Sequence, residues 1–192
     1  MAQEDYSRAY VGMELLYWKT MLLCEMDDSL EHLDLKGSYE NAMARCEMHL
    51  DNFEDAKFYI EEGIKTYDKL CSKSYSRYAM SRLYLLQTLA DIYDAEELND
   101  KADEQYLFAI QEAYHLIDSG VYVAKGRLQE ILTNLAGLYN KTERYELAIQ
   151  RCTEVLNICD ELLLVDAEYY KVEIIKGLDN IAIAYYNQGN IN

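Results

Sequence analysis

The chain has 192 residues, of which 51% are apolar, 28% are charged and none is proline. Its net charge of −17 has the wrong sign for binding nucleic-acid phosphates or an anionic bilayer. No apolar run approaches the roughly 20 residues that span a membrane, and the N-terminus does not resemble a secretion signal. We therefore predict a folded, cytoplasmic protein that uses neither nucleic acid nor a membrane as its partner.

The lack of proline favours long helices joined by short turns, because proline breaks helix interiors and average usage would place about nine or ten here. Apolar residues with three- and four-residue spacing, as in Leu83, Leu86, Leu89, Ala90 and Tyr93, indicate helix. We predict eight helices, over about residues 5–26, 30–49, 53–70, 74–96, 100–118, 122–140, 144–162 and 167–188. Five polar clusters mark breaks between helices: Asp51-Asn52, Asn99-Asp100, Asp118-Ser119-Gly120, Lys141-Thr142 and Gly189-Asn190.

The helices recur with a fixed period. Three small residues, Ala56, Ala102 and Ala148, lie 46 positions apart. The partner helices repeat with the same period. Their three matching segments are 46 residues apart: Leu89-Ala90-Asp-Ile-Tyr93, Leu135-Ala136-Gly-Leu-Tyr139 and Ile181-Ala182-Ile-Ala-Tyr185. Two helices therefore repeat together, as expected for stacked units that share one core.

The repeated pattern resembles the tetratricopeptide repeat family, in a long variant. One unit fills the family's slots with Leu132, Leu135, Ala136, Tyr139, Ala148, Cys152 and Val155. The resemblance implies an all-α, right-handed superhelical solenoid of antiparallel helix pairs, each made of a helix A and a helix B. The period of 46 instead of about 34 predicts longer helices.

We predict that the whole chain forms a single array of repeats. We predict an N-terminal helix and connection over 1–36, repeats over 37–82, 83–128 and 129–174, and helix A of an incomplete fourth repeat over 175–192. The first repeat departs from the pattern, since Glu40 and Glu47 stand in slots that are usually apolar or aromatic. The final helix is apolar on several faces, which predicts a longer protein whose next helix B begins near Asn192, or a homodimer through this helix.

No motif for phosphate binding, zinc hydrolysis or acyl transfer is present, so we predict no enzyme activity, no cofactor and no metal. The histidines, His32, His49 and His115, stand in separate units. Five scattered cysteines without a C-x-x-C pair argue against a disulfide framework or a zinc site, and are expected to be small buried apolar groups.

One set of polar residues is a candidate binding site. The resemblance implies that helix A lines a concave groove, and that asparagines just before the Leu-Ala pair hold the backbone of an extended peptide. Asn134 and Asn180 occupy this slot one period apart, with Thr88 one repeat earlier. The neighbouring groove positions are Tyr84, Gln87, Asp91, Glu130, Thr133, Lys176 and Asp179. The alternative is that both asparagines merely bond to adjacent helices.

We therefore predict a protein-interaction module that grips a neutral or basic peptide or protein segment in its groove. A first alternative is a sensory or oligomerisation domain of a larger bacterial signalling or regulatory protein, whose output domain lies outside this chain. A second is an enzyme in which acidic groove residues bind a small cationic substrate.

Overall fold

A computed structural model describes residues 2–27 and 29–189, with side chains described from residue 11 onward. These residues form helices and turns without a β-strand. The helices are α1 (Ala2–Met26), α2 (Leu30–His49), α3 (Phe53–Lys73), α4 (Tyr75–Ala95), α5 (Asn99–Asp118), α6 (Ala124–Lys141), α7 (Tyr145–Leu162) and α8 (Ala167–Asn187). The predicted all-α fold is confirmed, and most predicted helix ends lie within three residues of the observed ones.

The turn after each predicted helix A has one recurring backbone geometry. Asp51, Glu97, Glu143 and Gly189 all adopt the left-handed conformation, with φ of 62°, 62°, 60° and 72°. They lie 46 residues apart, so the turn repeats with the period of the sequence. The following amide closes the helix end, as where Arg144 N donates to Tyr139 O at 2.8 Å, a Schellman-type bond.

One predicted break is displaced. Asn99 begins α5 instead of ending the turn, and the left-handed residue is Glu97. The period locates this position better than composition does, because glutamate is not a typical turn residue. At Gly189-Asn190 the glycine is left-handed as expected, and Asn190 lies outside the described residues.

Contacts divide the chain into two compact units, Met1–Gln105 and Tyr106–Asn192. In the first unit α1 packs on α2, α2 on α3 and α3 on α4, and α2 also contacts α4. Contact between alternate helices, in addition to sequential ones, is what stacked helix pairs produce. The core of this unit is a cluster of Leu33, Ala44, Ala56, Ile60, Tyr67, Leu70, Tyr78, Leu85, Leu89 and Ile92.

Two glycines allow the helices of the first unit to approach closely. A Cβ atom built on Gly63 of α3 would lie 2.6 Å from Leu85 Cδ2 of α4 and 3.2 Å from Glu40 Cβ of α2. A Cβ on Gly37 of α2 would lie 2.6 Å from the Tyr67 ring of α3. Position 63 therefore requires a residue without a side chain, because helices α2 and α4 both approach it closely.

In the second unit α6 packs on α7, α7 on α8, and α6 also contacts α8. The slots that carry the family resemblance form its core: Leu132, Leu135, Ala136, Tyr139, Ala148, Cys152 and Val155 are all buried. The equivalent positions of α8 differ, because Leu178, Ala182 and Tyr185 are exposed. Ala182 thus has no close helix neighbour within the described residues.

The cysteines are free thiols, and three of them, Cys46, Cys152 and Cys159, are buried. Burial raises the pKa of the Cys152 and Cys159 thiols to about 11, so both remain protonated at neutral pH. Cys46, Cys152 and Cys159 are therefore buried as expected, whereas Cys24 and Cys71 are only half-buried, which corrects the expectation for all five.

Candidate binding surface on α6 and α8

The predicted groove residues of the second unit lie on two neighbouring helices. Glu130, Thr133 and Asn134 are half-buried on α6. Of those on α8, Asn180 is half-buried, and Lys176 and Asp179 are exposed. Because α6 and α8 are in contact, the structure brings these six residues onto one pair of helices.

A buried polar contact joins the two helices beneath this surface. Gln129 of α6 and Glu173 of α8 are both buried, and Gln129 Nε2 donates to Glu173 Oε2 at 3.1 Å. The other Glu173 oxygen accepts from Lys176 Nζ at 2.7 Å, so an exposed lysine compensates the buried negative charge. Thr133 Oγ1 accepts from Gln129 Nε2 at 3.1 Å and donates to Gln129 O at 2.9 Å. Thr133 is therefore held in place by the buried glutamine.

A second polar contact lies near the N-terminal end of α8. The Tyr169 hydroxyl donates to Glu130 Oε1 at 3.5 Å, and Arg127 forms an ion pair with the other oxygen of Glu130. Burial, followed by the nearby Glu130 carboxylate, raises the pKa of Tyr169 to about 12. Tyr169 is therefore a neutral donor across the physiological pH range.

A third contact between the two helices lies at the backbone of Asn180. Asn140 Nδ2 of α6 donates to the Asn180 backbone oxygen of α8 at 3.1 Å. This bond fixes the register of α8 against α6 next to Asn180. The Asn140 Oδ1 atom is buried without a hydrogen-bond partner, as is Gln129 Oε1. Both acceptors belong to the helix that carries Asn134.

The predicted groove residues of the first unit lie on α4. Tyr84 and Asp91 are half-buried, whereas Gln87 and Thr88 are buried, with Thr88 only 4% exposed. The Thr88 hydroxyl donates to Tyr84 O at 3.1 Å, a local bond within the helix. Thr88 thus differs from Asn134 and Asn180 in exposure, although all three share one slot.

Sequence reasoning missed the residues that support the surface: Arg127, Gln129, Asn140, Tyr169 and Glu173. A signal existed for Gln129, which stands one period after the buried Leu83 and so places an amide in a core slot. A polar residue in such a slot requires a buried partner. The sequence does not reveal that the partner is Glu173.

No protein-family model matches the chain, and no curated protein sequence matches it. Among solved structures, the chain is similar to BtubC (BKLC) from P. vanneervenii, with a TM-score of 0.74 and 17% identity. The match covers 95% of this chain and 66% of BtubC, so the chain spans about two thirds of that protein. A de novo designed helical repeat protein, DHR64, is 12% identical over 96% of each chain, but its TM-score of 0.37 is too low to indicate a shared topology.

The likeness to BtubC concerns the fold, which is all-α and of the helical-repeat kind. None of the helices in the described part of the chain is long and apolar enough to cross a membrane.

Proposed function

We propose that this chain is a protein-interaction module of the tetratricopeptide-repeat type, which holds an extended peptide across α6 and α8. The observation that carries the proposal is the pair Asn134 and Asn180, half-buried one period apart on helices that are in contact. A carboxamide offers two donors and one acceptor, and so can pair with both polar groups of a peptide backbone.

The spacing of neighbouring helices suits an extended peptide. Packed helices lie about 8–10 Å apart, and an extended chain rises about 3.3 Å per residue. Asparagines on α6 and α8 would therefore contact backbone amides about three residues apart. Contacts to the backbone are tolerant of peptide sequence, so side-chain preferences would come from Glu130, Lys176 and Asp179.

Charge favours a neutral or basic partner. The chain has a net charge of −17, and such a field accelerates the approach of a cationic segment most strongly at low salt. Lys176 is held by the buried Glu173 carboxylate, so it adds little positive charge to this surface.

The test is a double substitution at the surface, with a peptide first identified by affinity capture with the intact chain. Asn134→Ala with Asn180→Ala should weaken binding of that peptide about 30-fold, because each lost hydrogen-bonding group contributes about 1 kcal/mol. Melting should change little, since both positions are only half-buried. Binding can be measured by calorimetry.

The matched control is Asn157→Ala, which removes an exposed asparagine from α7 and should leave affinity unchanged. Equal affinity of the double variant and the wild type would show that Asn134 and Asn180 do not hold the peptide.

A second candidate is a sensory or oligomerisation domain of a larger bacterial signalling or regulatory protein. The exposed apolar positions Leu178 and Tyr185 on α8 favour it, because they correspond to positions that α6 buries. An open reading frame that continues from residue 192 into an output domain would support this candidate, and a stop codon there would count against it.

A further inference from the structure

Two apolar stripes, one on α1 and one on α8, have no helix packed on them within the described residues. The α1 stripe consists of Val11, Leu15, Trp18 and Leu22, and the exposed fractions of these residues range from 58% to 66%. Their spacing of four, three and four places them on one side of the helix. The α8 stripe consists of Ile175, Leu178, Ala182 and Tyr185, at a spacing of three, four and three. Each stripe extends about 15 Å along its helix.

The α8 stripe occupies positions that are covered elsewhere in the repeat. Leu178, Ala182 and Tyr185 lie 46 residues after Leu132, Ala136 and Tyr139, which are buried in α6 where it packs against α7. The α8 stripe is therefore the surface of a helix A on which a helix B would pack.

α1 stands in the place of a helix B. It leads through a three-residue link into α2, as α7 leads through a short link into α8, and it packs on the helix that follows it. The opposite side of α1, with Tyr17 and Thr20, is already buried, and the Tyr17 ring contacts Tyr59 of α3 edge-to-face at 5.7 Å. The α1 stripe is thus a helix-B surface on which no helix A packs within the described residues.

Charge is low where both stripes lie. From Val11 to Met26 three of 16 residues are charged, Glu14, Lys19 and Glu25, which is about 19% against 28% for the whole chain. Within α8 five of 21 residues are charged, which is about 24%: Glu168, Lys171, Glu173, Lys176 and Asp179. None of these charged residues belongs to either stripe. Depletion of charge at the centre of a surface is typical of protein interfaces.

We propose that a second copy of this chain covers each stripe: the α1 stripe of one copy packs on the α8 stripe of another and completes a helix pair. The chain itself carries both halves of the missing repeat, an apolar helix B and an apolar helix A of matching length. The contact is heterologous, so each copy keeps one stripe open and assembly proceeds beyond two copies unless a ring closes. This interface is separate from the α6 and α8 groove surface.

Self-association of the intact chain is measured by sedimentation velocity across a wide range of protein concentration. The wild type should form dimers and larger species as concentration rises. Trp18, the single tryptophan, is 58% exposed and should shift its emission to shorter wavelength in the same range. Adding NaCl should strengthen association, because it screens repulsion between copies that each carry −17.

Two variants each block one stripe. Leu22→Asp and Leu178→Asp place a charge at positions that are 60% and 51% exposed, so each variant should fold and remain a monomer. An equal mixture should form a 1:1 dimer that does not grow, because each variant retains the stripe that the other has lost. The matched control, Phe58→Asp on α3, changes a side chain that is 57% exposed and should associate as the wild type does.

Three results would overturn the proposal. The first is a wild type that stays monomeric at every concentration, as expected if the stripes belong to a neighbouring helix or a different protein. The second is unchanged association of Leu22→Asp alone, which would indicate a symmetric contact between α8 helices. The third is a mixture of the two variants that remains monomeric. Asn134→Ala with Asn180→Ala should leave association unchanged, which separates this proposal from the peptide-binding proposal.

Discussion

At the scale of single residues, the clearest departure from the repeat pattern is a buried acid. Glu40 of α2 is fully buried, with Oε1 paired to Lys36 Nζ at 2.7 Å and Oε2 accepting from Thr66 Oγ1 at 2.9 Å. Desolvation raises the pKa of this carboxyl, although the bond from Lys36 opposes the rise, and Glu62 adds to it. The equivalent positions Leu86 and Leu132, one and two periods later, are buried leucines without such a charge.

Glu40→Gln should therefore change how stability depends on pH. A carboxyl whose pKa is raised by folding binds its proton more tightly in the folded chain, so its contribution to the free energy of unfolding falls as pH rises from 4.5 through the raised value. The unfolding free energy of Glu40→Gln minus that of the wild type should therefore rise with pH across this window. Urea unfolding at a series of pH values measures it.

The control for this effect is Glu61→Gln, which changes an exposed glutamate on α3. Its difference from the wild type should stay nearly constant with pH. Parallel stability curves for Glu40→Gln and the wild type would show that the Glu40 pKa is not raised.

At the scale of helices and turns, the repeated left-handed position explains how unlike sequences make the same connection. Asp51, Glu97 and Glu143 bear side chains in a conformation that suits glycine, and only Gly189 avoids the steric cost. The backbone bond that closes the turn recurs at Asn52, Leu98 and Arg144, 46 residues apart, so the turn does not depend on one residue type.

Glu143→Gly should stabilise the chain by about 1 kcal/mol, because glycine adopts this backbone conformation without the clash of a Cβ atom. Thermal or urea unfolding measures the change. Glu104→Gly is the matched control: Glu104 is exposed within α5, where glycine should destabilise by about 1 kcal/mol. A loss of stability in both variants would contradict the assignment of strain to Glu143.

Sequence periodicity predicted the helices because each one repeats a strong apolar pattern without proline. Ala136, Ala148 and Val155 could be placed in the core for the same reason. The supporting contacts of the candidate surface could not be predicted, because the bond between Gln129 and Glu173 depends on which helix lies beside which and on rotamers. Thr88 is buried although it stands one period before the half-buried Asn134, because burial depends on how the neighbouring helices pack.

At the scale of the whole molecule, the net charge of −17 opposes folding through repulsion among like charges. Ion pairs such as Lys57 with Glu96, at 3.0 Å, compensate only part of the excess, since acidic residues number 35 against 18 lysines and arginines. The surface charges are screened by salt over about 10 Å at 0.1 M.

Moderate salt should therefore stabilise the dilute chain. Raising NaCl from about 0.01 M to about 0.1 M shortens the screening length from about 30 Å to about 10 Å. We expect the melting temperature to rise by about 2–4 °C, which for a chain of this size corresponds to about 1 kcal/mol. Equal effects of NaCl and KCl would identify screening, and a lower melting temperature in salt would contradict it.

The identical turns every forty-six residues have a consequence for how the gene can change. A deletion or duplication of one period joins two turns that already share their backbone geometry and their closing hydrogen bond. Unequal crossing-over that adds or removes 46 residues would therefore keep the spacing between turns, wherever within the period it occurred. An insertion of another length inside a helix would instead rotate the helices that follow out of this register.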